Sequence, residues 1–260
     1  MMQRSRTAAE NKIANPTSKI WIGTSGWTYD GWRGSFYPKD MPARLWLSYY
    51  ATQFSTVEIN GSFYRTLAIE AVRTWRDSTP RAFAFAWKAS KFITHWKRLS
   101  AKCENSVALT ETRLAALASK DGTILFQLPP NFSKDRARLD AFIQMLPRSR
   151  QYAFEFRHRS WYDDEVPNIL QTNNAALCIS DHEDAPAPWE VTADHVYLRG
   201  HGPGGRYRGS YQIKTLARWA QAILEWRRKR RKVFVYFDND QKAAAPRDAR
   251  RLLGLVNAGS

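Results

Sequence analysis

The feature that most constrains this chain is a regular alternation of short apolar runs with longer segments of helical period. The runs are IWIGTS (20–25), TVEIN (56–60), FAFAWK (83–88), TILFQL (123–128), YAFEFR (152–157), AALCIS (175–180), HVYLRG (195–200) and KVFVYFD (232–238). Helical segments are predicted at 42–54, 69–78, 104–120, 134–146, 163–173, 214–230 and 241–256. After the sixth run, DHEDAPAPWEVTAD has room only for a short helix or an irregular connection. Strands that alternate with helices pair in parallel, because a parallel pair needs a long crossover. Eight such units predict an α/β protein folded as a single (β/α)8 TIM-type barrel, and 260 residues suit one. An open doubly wound sheet would carry GxGxxG after its first strand to seat a dinucleotide, and none is found there. The barrel is expected over 20–258. The polar residues 1–19 lack the apolar segment of a signal peptide and are predicted to be a disordered tail.

Successive strand residues face opposite ways, so parity sorts the polar groups. Glu58 and Asn60 share one face of TVEIN, opposite Val57 and Ile59; Glu155 and Arg157 share a face with Ala153, opposite Phe154 and Phe156. Lys88 lies with Ala84 and Ala86, Gln127 opposes Phe126 and Leu128, Arg199 lies with Tyr197, and Asp238 lies with Tyr236 and Phe234. The large apolar members suit the helix interface. The polar members then point into the lumen near the carboxyl ends of the strands, where barrel active sites form. The alternative for this set is an internal ion-pair lattice that plugs the mouth, for example Glu155 with Arg157 or Lys88.

The loops on that rim are aromatic and basic. The first, SGWTYDGWRGSFYP (25–38), carries Trp27, Tyr29, Trp32 and Arg33; the third carries Lys91, His95, Trp96, Lys97 and Arg98; the fifth carries His158, Arg159 and Trp161. The seventh, HGPGGRYRGSY, is a glycine loop with His201, Arg206 and Arg208. Trp27, Tyr29 and Trp32 are candidates for a ligand wall, while Phe36 and Tyr37 are expected to pack their loop down. The formal charge of +16 favours anionic partners, a small phosphate-bearing molecule or nucleic acid. The run RRKRRK (227–232) should lie at the opposite, amino-terminal face, and the remainder stays basic without it. Cys103 and Cys178 form no disulfide framework and lack metal-ligand spacing, which suits a reducing, cytoplasmic setting. No apolar run approaches the ~20 residues of a membrane span. No protein partner can be named from the sequence.

The motifs IGTSGWTYDGWRGSFYP, VEINGSFYR, FAWKASKFITH, LFQLPPNF, AFEFRHRSW, YLRGHG and VYFDND, in this order across residues 20 to about 256, resemble the YecE-like family, a domain of unknown function. The resemblance implies a TIM-type barrel and supplies no activity. Its motif residues at matching positions here are Gly26, Trp27, Trp32, Glu58, Asn60, Phe63, Tyr64, Lys88, His95, Gln127, Glu155, Arg157, Trp161, Arg199, His201 and Gly202. The last strand reads FDND where the family often has an asparagine pair, a departure at Asp238.

Two functions follow as expectations. In the first, a phosphate-bearing ligand binds at the mouth and is hydrolysed. Glu58 and Glu155 are the candidate acid and base, His95 and His201 transfer protons, and Lys88, Arg157 and Arg199 hold charge on phosphate oxygens. Trp27, Trp32, Asn60, Tyr64, Gln127, Trp161 and Asp238 complete the candidate binding set. No resident cofactor is predicted; a metal-assisted version would recruit Glu58, Glu155, Asp181 and Asp238 to Mg2+ or Mn2+. In the second, the protein binds nucleic acid without catalysis. A glycosidase would also use paired carboxylates, but an excess of lysine and arginine in the lumen would fit neutral sugars poorly.

Overall fold

The computed structural model describes residues 19–259. The predicted disordered tail therefore falls outside the described residues, apart from Lys19. Eight strands are present: β1 (Ile20–Thr24), β2 (Thr56–Ile59), β3 (Ala84–Lys88), β4 (Asp121–Gln127), β5 (Tyr152–Glu155), β6 (Ala176–Ser180), β7 (His195–Gly200) and β8 (Lys232–Phe237). Neighbours pair in parallel in the order β1-β8-β7-β6-β5-β4-β3-β2. A parallel Ser25–Glu58 bridge, with the Gly26 N–H donating to the Glu58 carbonyl at 2.8 Å, brings β1 back to β2. This is a (β/α)8 TIM-type barrel.

The β1–β2 seam is held partly by a side chain. The Tyr50 hydroxyl accepts from the Thr24 N–H at 2.9 Å and donates to the Thr56 carbonyl at 3.1 Å, spanning the gap where the ladder is thin. Gly23 is required at this seam, since a Cβ there would stand 2.3 Å from the Thr56 carbonyl oxygen.

Helices α1 (Trp46–Gln53), α2 (Gly61–Tyr64), α3 (Ile69–Asp77), α4 (Glu104–Ala115), α5 (Arg136–Met145), α6 (Val166–Thr172), α7 (Ile213–Arg228) and α8 (Ala244–Ala258) fill the crossovers and follow β8. The β6–β7 connection is irregular, as its proline-rich composition implies. A short α2 and a π turn over Phe92–Trp96 lie in loops where no helix was expected. None of the helices among the described residues is long and apolar enough to cross a membrane.

Parity sorts the core into two clusters. Val57, Ile59, Phe85, Trp87, Phe126, Phe154, Phe156, Val196, Leu198, Val233 and Val235 join the core beneath the helices. Ala86, Leu125, Ala153, Ala176, Cys178, Tyr197, Phe234 and Tyr236 form a separate cluster inside the barrel. Small residues on β3, β5 and β6 leave room for the rings of β7 and β8, so the lumen is packed rather than open. That plug forms the floor on which the mouth is built. The basic run lies where α7 gives way to β8, at the amino-terminal end.

Candidate functional site

Above the floor, every strand contributes one polar residue at or just past its carboxyl end: Ser25, Glu58, Lys88, Gln127, Glu155, Ser180, Arg199 and Asp238. Arg199 is the hub of this ring. Its guanidinium donates to Glu58 Oε1, Glu155 Oε2 and Asp238 Oδ2, each at 2.9 Å. Arg157 donates from Nε to Glu155 Oε1 at 2.6 Å. The lattice considered from the sequence therefore exists around Glu155, with Arg157 and Arg199 as its cations rather than Lys88.

Both glutamates are heavily engaged. Glu155 also accepts from Gln127 Nε2 at 3.0 Å and Ser180 Oγ at 3.1 Å. Glu58 accepts from Ser25 Oγ and, at 2.6 Å, from the Tyr197 hydroxyl. Burial pushes the Glu155 carboxyl up, but Arg157 and Arg199, aided by His201 and Lys88, outweigh it and hold the pKa well below the usual carboxylate range. A carboxylate so fixed orients arginines and has little capacity to donate a proton.

His201 is wholly buried. Its Nε2 faces Arg157 NH2 at 3.0 Å and Arg199 NH1 at 3.1 Å, both obligate donors, so Nε2 accepts and Nδ1 carries the proton toward Asp181 Oδ1 at 3.3 Å. Burial lowers its pKa against the hydrogen bond from Asp181, keeping the ring neutral. His201 thus positions the two arginines. The glycine loop after β7 closes over it: the Tyr207 hydroxyl accepts from Arg157 NH1 at 2.8 Å. Gly205 makes this path possible; it has φ +69°, and a Cβ there would lie 2.3 Å from the Asp181 carbonyl oxygen. Arg206 turns outward to pair with Glu183.

Lys88 differs from the rest of the ring. It is 5% exposed; among the described residues its Nζ has no hydrogen bond and no carboxylate partner, and it keeps contact with solvent in the mouth. Its contact is with the face of Phe63, 4.4 Å from the ring centroid. Burial first, then repulsion from Arg199, push its pKa down to about 8 despite the pull of Asp238, Glu58 and Glu155. His95, half-buried on the π turn, is lowered to about 4 by burial and then by Lys88, Arg157, Lys91 and Arg98. Its Nδ1 meets Thr94 Oγ1 at 2.8 Å.

Glu58, Glu155, Lys88, His201, Gln127, Arg157, Arg199 and Asp238 therefore meet in the mouth. Trp27, Asn60 and Tyr64 line a cavity of about 490 Å³ beside it, between the first and second loops. There the Asn60 Oδ1 is buried without a hydrogen bond. Trp32 and Trp161 are placed differently. Trp32 is sealed among Tyr29, Phe36 and Tyr37, its indole donating to the Asp240 carbonyl at 2.9 Å. Trp161 is 1% exposed, stacked on Phe156 at 4.7 Å, with its indole donating to the Phe132 carbonyl at 2.6 Å. With both faces and N–H groups used, these two rings anchor loops and cannot wall a ligand.

The charge balance also differs from the expected excess of cations: Glu58, Glu155 and Asp238 stand against Lys88, Arg157 and Arg199. Among the described residues no group of three or more His, Cys, Asp or Glu is arranged to hold a metal. Of the four carboxylates of the metal-assisted reading, Glu58, Glu155 and Asp238 converge on the Arg199 guanidinium and Asp181 is taken up by the His201 N–H and the Tyr211 hydroxyl, so this donor set does not fit a divalent ion. Sequence reasoning missed Ser25, Ser180 and Tyr207. The parity that selected Glu58 and Arg199 also points Ser25 and Ser180 inward, but a serine carries no charge to draw notice.

Residues 21–260 match the family described as "Protein of unknown function DUF72". The UPF0759 protein YecE of Escherichia coli K12 is 31% identical over 80% of this chain and 82% of its own. The UPF0759 protein YunF of Bacillus subtilis 168 is 24% identical over 92% of this chain and 95% of its own. The crystal structure of a DUF72 family protein from Thermotoga maritima superposes with a TM-score of 0.83 at 24% identity, covering 92% of this chain and 99% of that one. One from Enterococcus faecalis V583 gives 0.77 at 21%, covering 92% and 96%. With the family match spanning the whole barrel, and YecE similar across most of it, this chain belongs to the DUF72 family, that of the YecE-like proteins.

Proposed function

We propose that the barrel mouth binds a phosphate-bearing anion, with Lys88 as its seat. One observation carries this reading: Lys88 is a largely buried cation with no protein partner among the described residues, its Nζ open to the mouth, beside Arg199 and Arg157, which are both paired. An ammonium largely removed from water with no counter-charge is disfavoured, and a bound anion relieves this. The four cations around His95 (Lys88, Arg157, Lys91 and Arg98) make this side of the mouth electropositive. A multiply charged phosphate suits it better than a neutral sugar. A glycosidase acid needs a raised carboxyl pKa, whereas Glu155 is held down.

The test is thermal unfolding with inorganic phosphate or pyrophosphate added. Ligand bound to the native state raises Tm by mass action. The rise is expected in the wild type, absent in Lys88→Met, and weaker above about pH 8, where Lys88 loses its proton. An equal rise in Lys88→Met would overturn the reading.

Hydrolysis is a second reading, and His95 favours it. Held neutral, its imidazole is a proton acceptor on the Lys88 side of the mouth that the lattice does not consume, though a weak one with its pKa at about 4. Water would form the new P–O bond while its proton passes to His95. The ester P–O bond would break with its electron pair on the departing alkoxide, which takes a proton from solvent. Turnover of bis(p-nitrophenyl) phosphate, lost in His95→Ala with phosphate binding retained, supports this step. Turnover unchanged in that variant removes His95 from it. The two buried free cysteines suit a reducing cytoplasm.

A further inference from the structure

Outside the ring, a second cavity of about 320 Å³ opens between α2, the π turn and α4. Its floor is apolar, including Leu67 and Trp87, and its rim carries Arg65, Lys91 and Arg113 with no carboxylate in its lining. Two of its rings are left in solvent: Tyr64 is 65% exposed and Trp96 is 67% exposed. Large aromatic side chains usually bury their faces, so two exposed ones in one groove form a platform. Lys91 sits by both, its Nζ 5.7 Å from the Tyr64 ring and 5.5 Å from the Trp96 ring.

The platform is continuous with the mouth. Lys88 lies over Phe63 at 4.4 Å, and Phe63 meets Tyr64 edge-on at 5.0 Å between centroids. Two contacts from the anion seat, through the buried Phe63 ring, reach the exposed face of Tyr64, and Lys91 lies between that ring and Trp96. Cations set beside exposed ring faces suit a nucleotide chain, whose charged backbone carries a flat base on each sugar.

The geometry points to a binding site for single-stranded nucleic acid, with bases stacking on Tyr64 and Trp96 and phosphates drawn by Lys91, Arg65 and Arg113. The platform stands on its own observations, and only the placement of a phosphate at Lys88 rests on the function proposed above. Exposed ring faces select an unpaired strand, because bases within a duplex are already stacked on each other. A purely acidic peptide would use the cations and leave the rings idle.

The experiment is fluorescence anisotropy of a short fluorescein-labelled oligothymidylate at low salt, compared with a labelled hairpin duplex and competed with polyglutamate. The single strand is expected to bind about tenfold tighter than the duplex and to resist polyglutamate. Trp96→Ala and Tyr64→Ala should each weaken it roughly five- to a hundredfold, the range of one lost stacking contact, with unfolding unchanged. Trp96→Phe should restore most of the affinity, which lost charge alone would not explain. Equal binding of strand and duplex, displacement by polyglutamate, or unchanged affinity in both alanine variants would overturn the site. Lys88→Met separates the two proposals. If it abolishes the phosphate response while Trp96→Ala binds DNA normally, the mouth stands and the platform falls. If Trp96→Ala loses the strand while Lys88→Met keeps its phosphate response, the platform stands and the mouth falls.

Discussion

On the β7 side of the mouth, Arg199 is enclosed by three carboxylates, each at 2.9 Å. On the β3 side, Lys88 is largely buried, less so than Arg199, and has only a ring face beside it. Both are buried cations in one layer of one barrel, and their surroundings shift them in opposite directions: Arg199 is raised by Glu58, Glu155 and Asp238 against burial, whereas Lys88 is lowered by burial and by Arg199. The difference separates a charge that is enclosed by carboxylates and holds the mouth together, although its Nε has no partner among the described residues, from one that the fold leaves unpaired at the open side of the mouth. The unpaired charge is the more informative of the two, because stability alone gives no reason to keep it.

The comparison is broken most directly at Arg199. Arg199→Met leaves Glu58 and Asp238 without their cation and Glu155 with Arg157 alone. Urea unfolding should show a loss of about 3–5 kcal/mol at neutral pH, the range for breaking a buried pair from one side. The pH dependence should also weaken. In the wild type, the depressed Glu155 pKa contributes stability that is present above the unfolded value and is lost as pH falls through the folded one. In the variant, Glu155 keeps Arg157 but loses Arg199 against its burial, so this acid-sensitive component should shrink. A loss under 1 kcal/mol would mean that the lattice does not hold the mouth.

Lys88→Met should act in the other direction. A pKa lowered from 10.5 to about 8 corresponds to roughly 3 kcal/mol of strain carried by the protonated form, so the variant should be more stable than wild type at pH 7 by up to that amount. Because the folded pKa lies below the unfolded one, wild-type stability should rise between about pH 8 and 10.5, and the variant should lack this component. A destabilised variant with the same pH profile as wild type would show that Lys88 is structural, like Arg199.

These contrasts also mark what the sequence made legible. Parity alone placed Glu58, Glu155, Arg199 and Asp238 together, since alternation in a strand is rigid and the two core clusters obey it. Which cation each acid would choose was not readable, because a long arginine can span the lumen from β7 to β2 while a lysine of the same layer stays alone. The aromatic loops show a second limit. Trp32 of the first loop and Trp96 of the third looked alike as rim rings. Trp32 is sealed by Tyr29, Phe36 and Tyr37 from its own loop, whereas Trp96, on a π turn with no sequence signature, meets among the described residues only Phe92 and Lys91 at its ring and is 67% exposed. Exposure depends on neighbours that only the folded loops supply.

The smallest expected effect sharpens where the paired side ends. Tyr207 reaches the lattice from the glycine loop, its hydroxyl accepting from Arg157 NH1, while its ring lies 5.0 Å from that of His201. Tyr207→Phe keeps the ring and removes the acceptor, leaving Arg157 with Glu155 and His201. About 1–2 kcal/mol is expected from unfolding measurements, the scale of one hydrogen bond to a charged group. If the loop only covers the mouth, phosphate should protect this variant as it protects the wild type. If Arg157 instead moves once freed from Tyr207, the phosphate response should change along with stability, and the boundary between the holding and the binding side would lie at Arg157 rather than at Lys88.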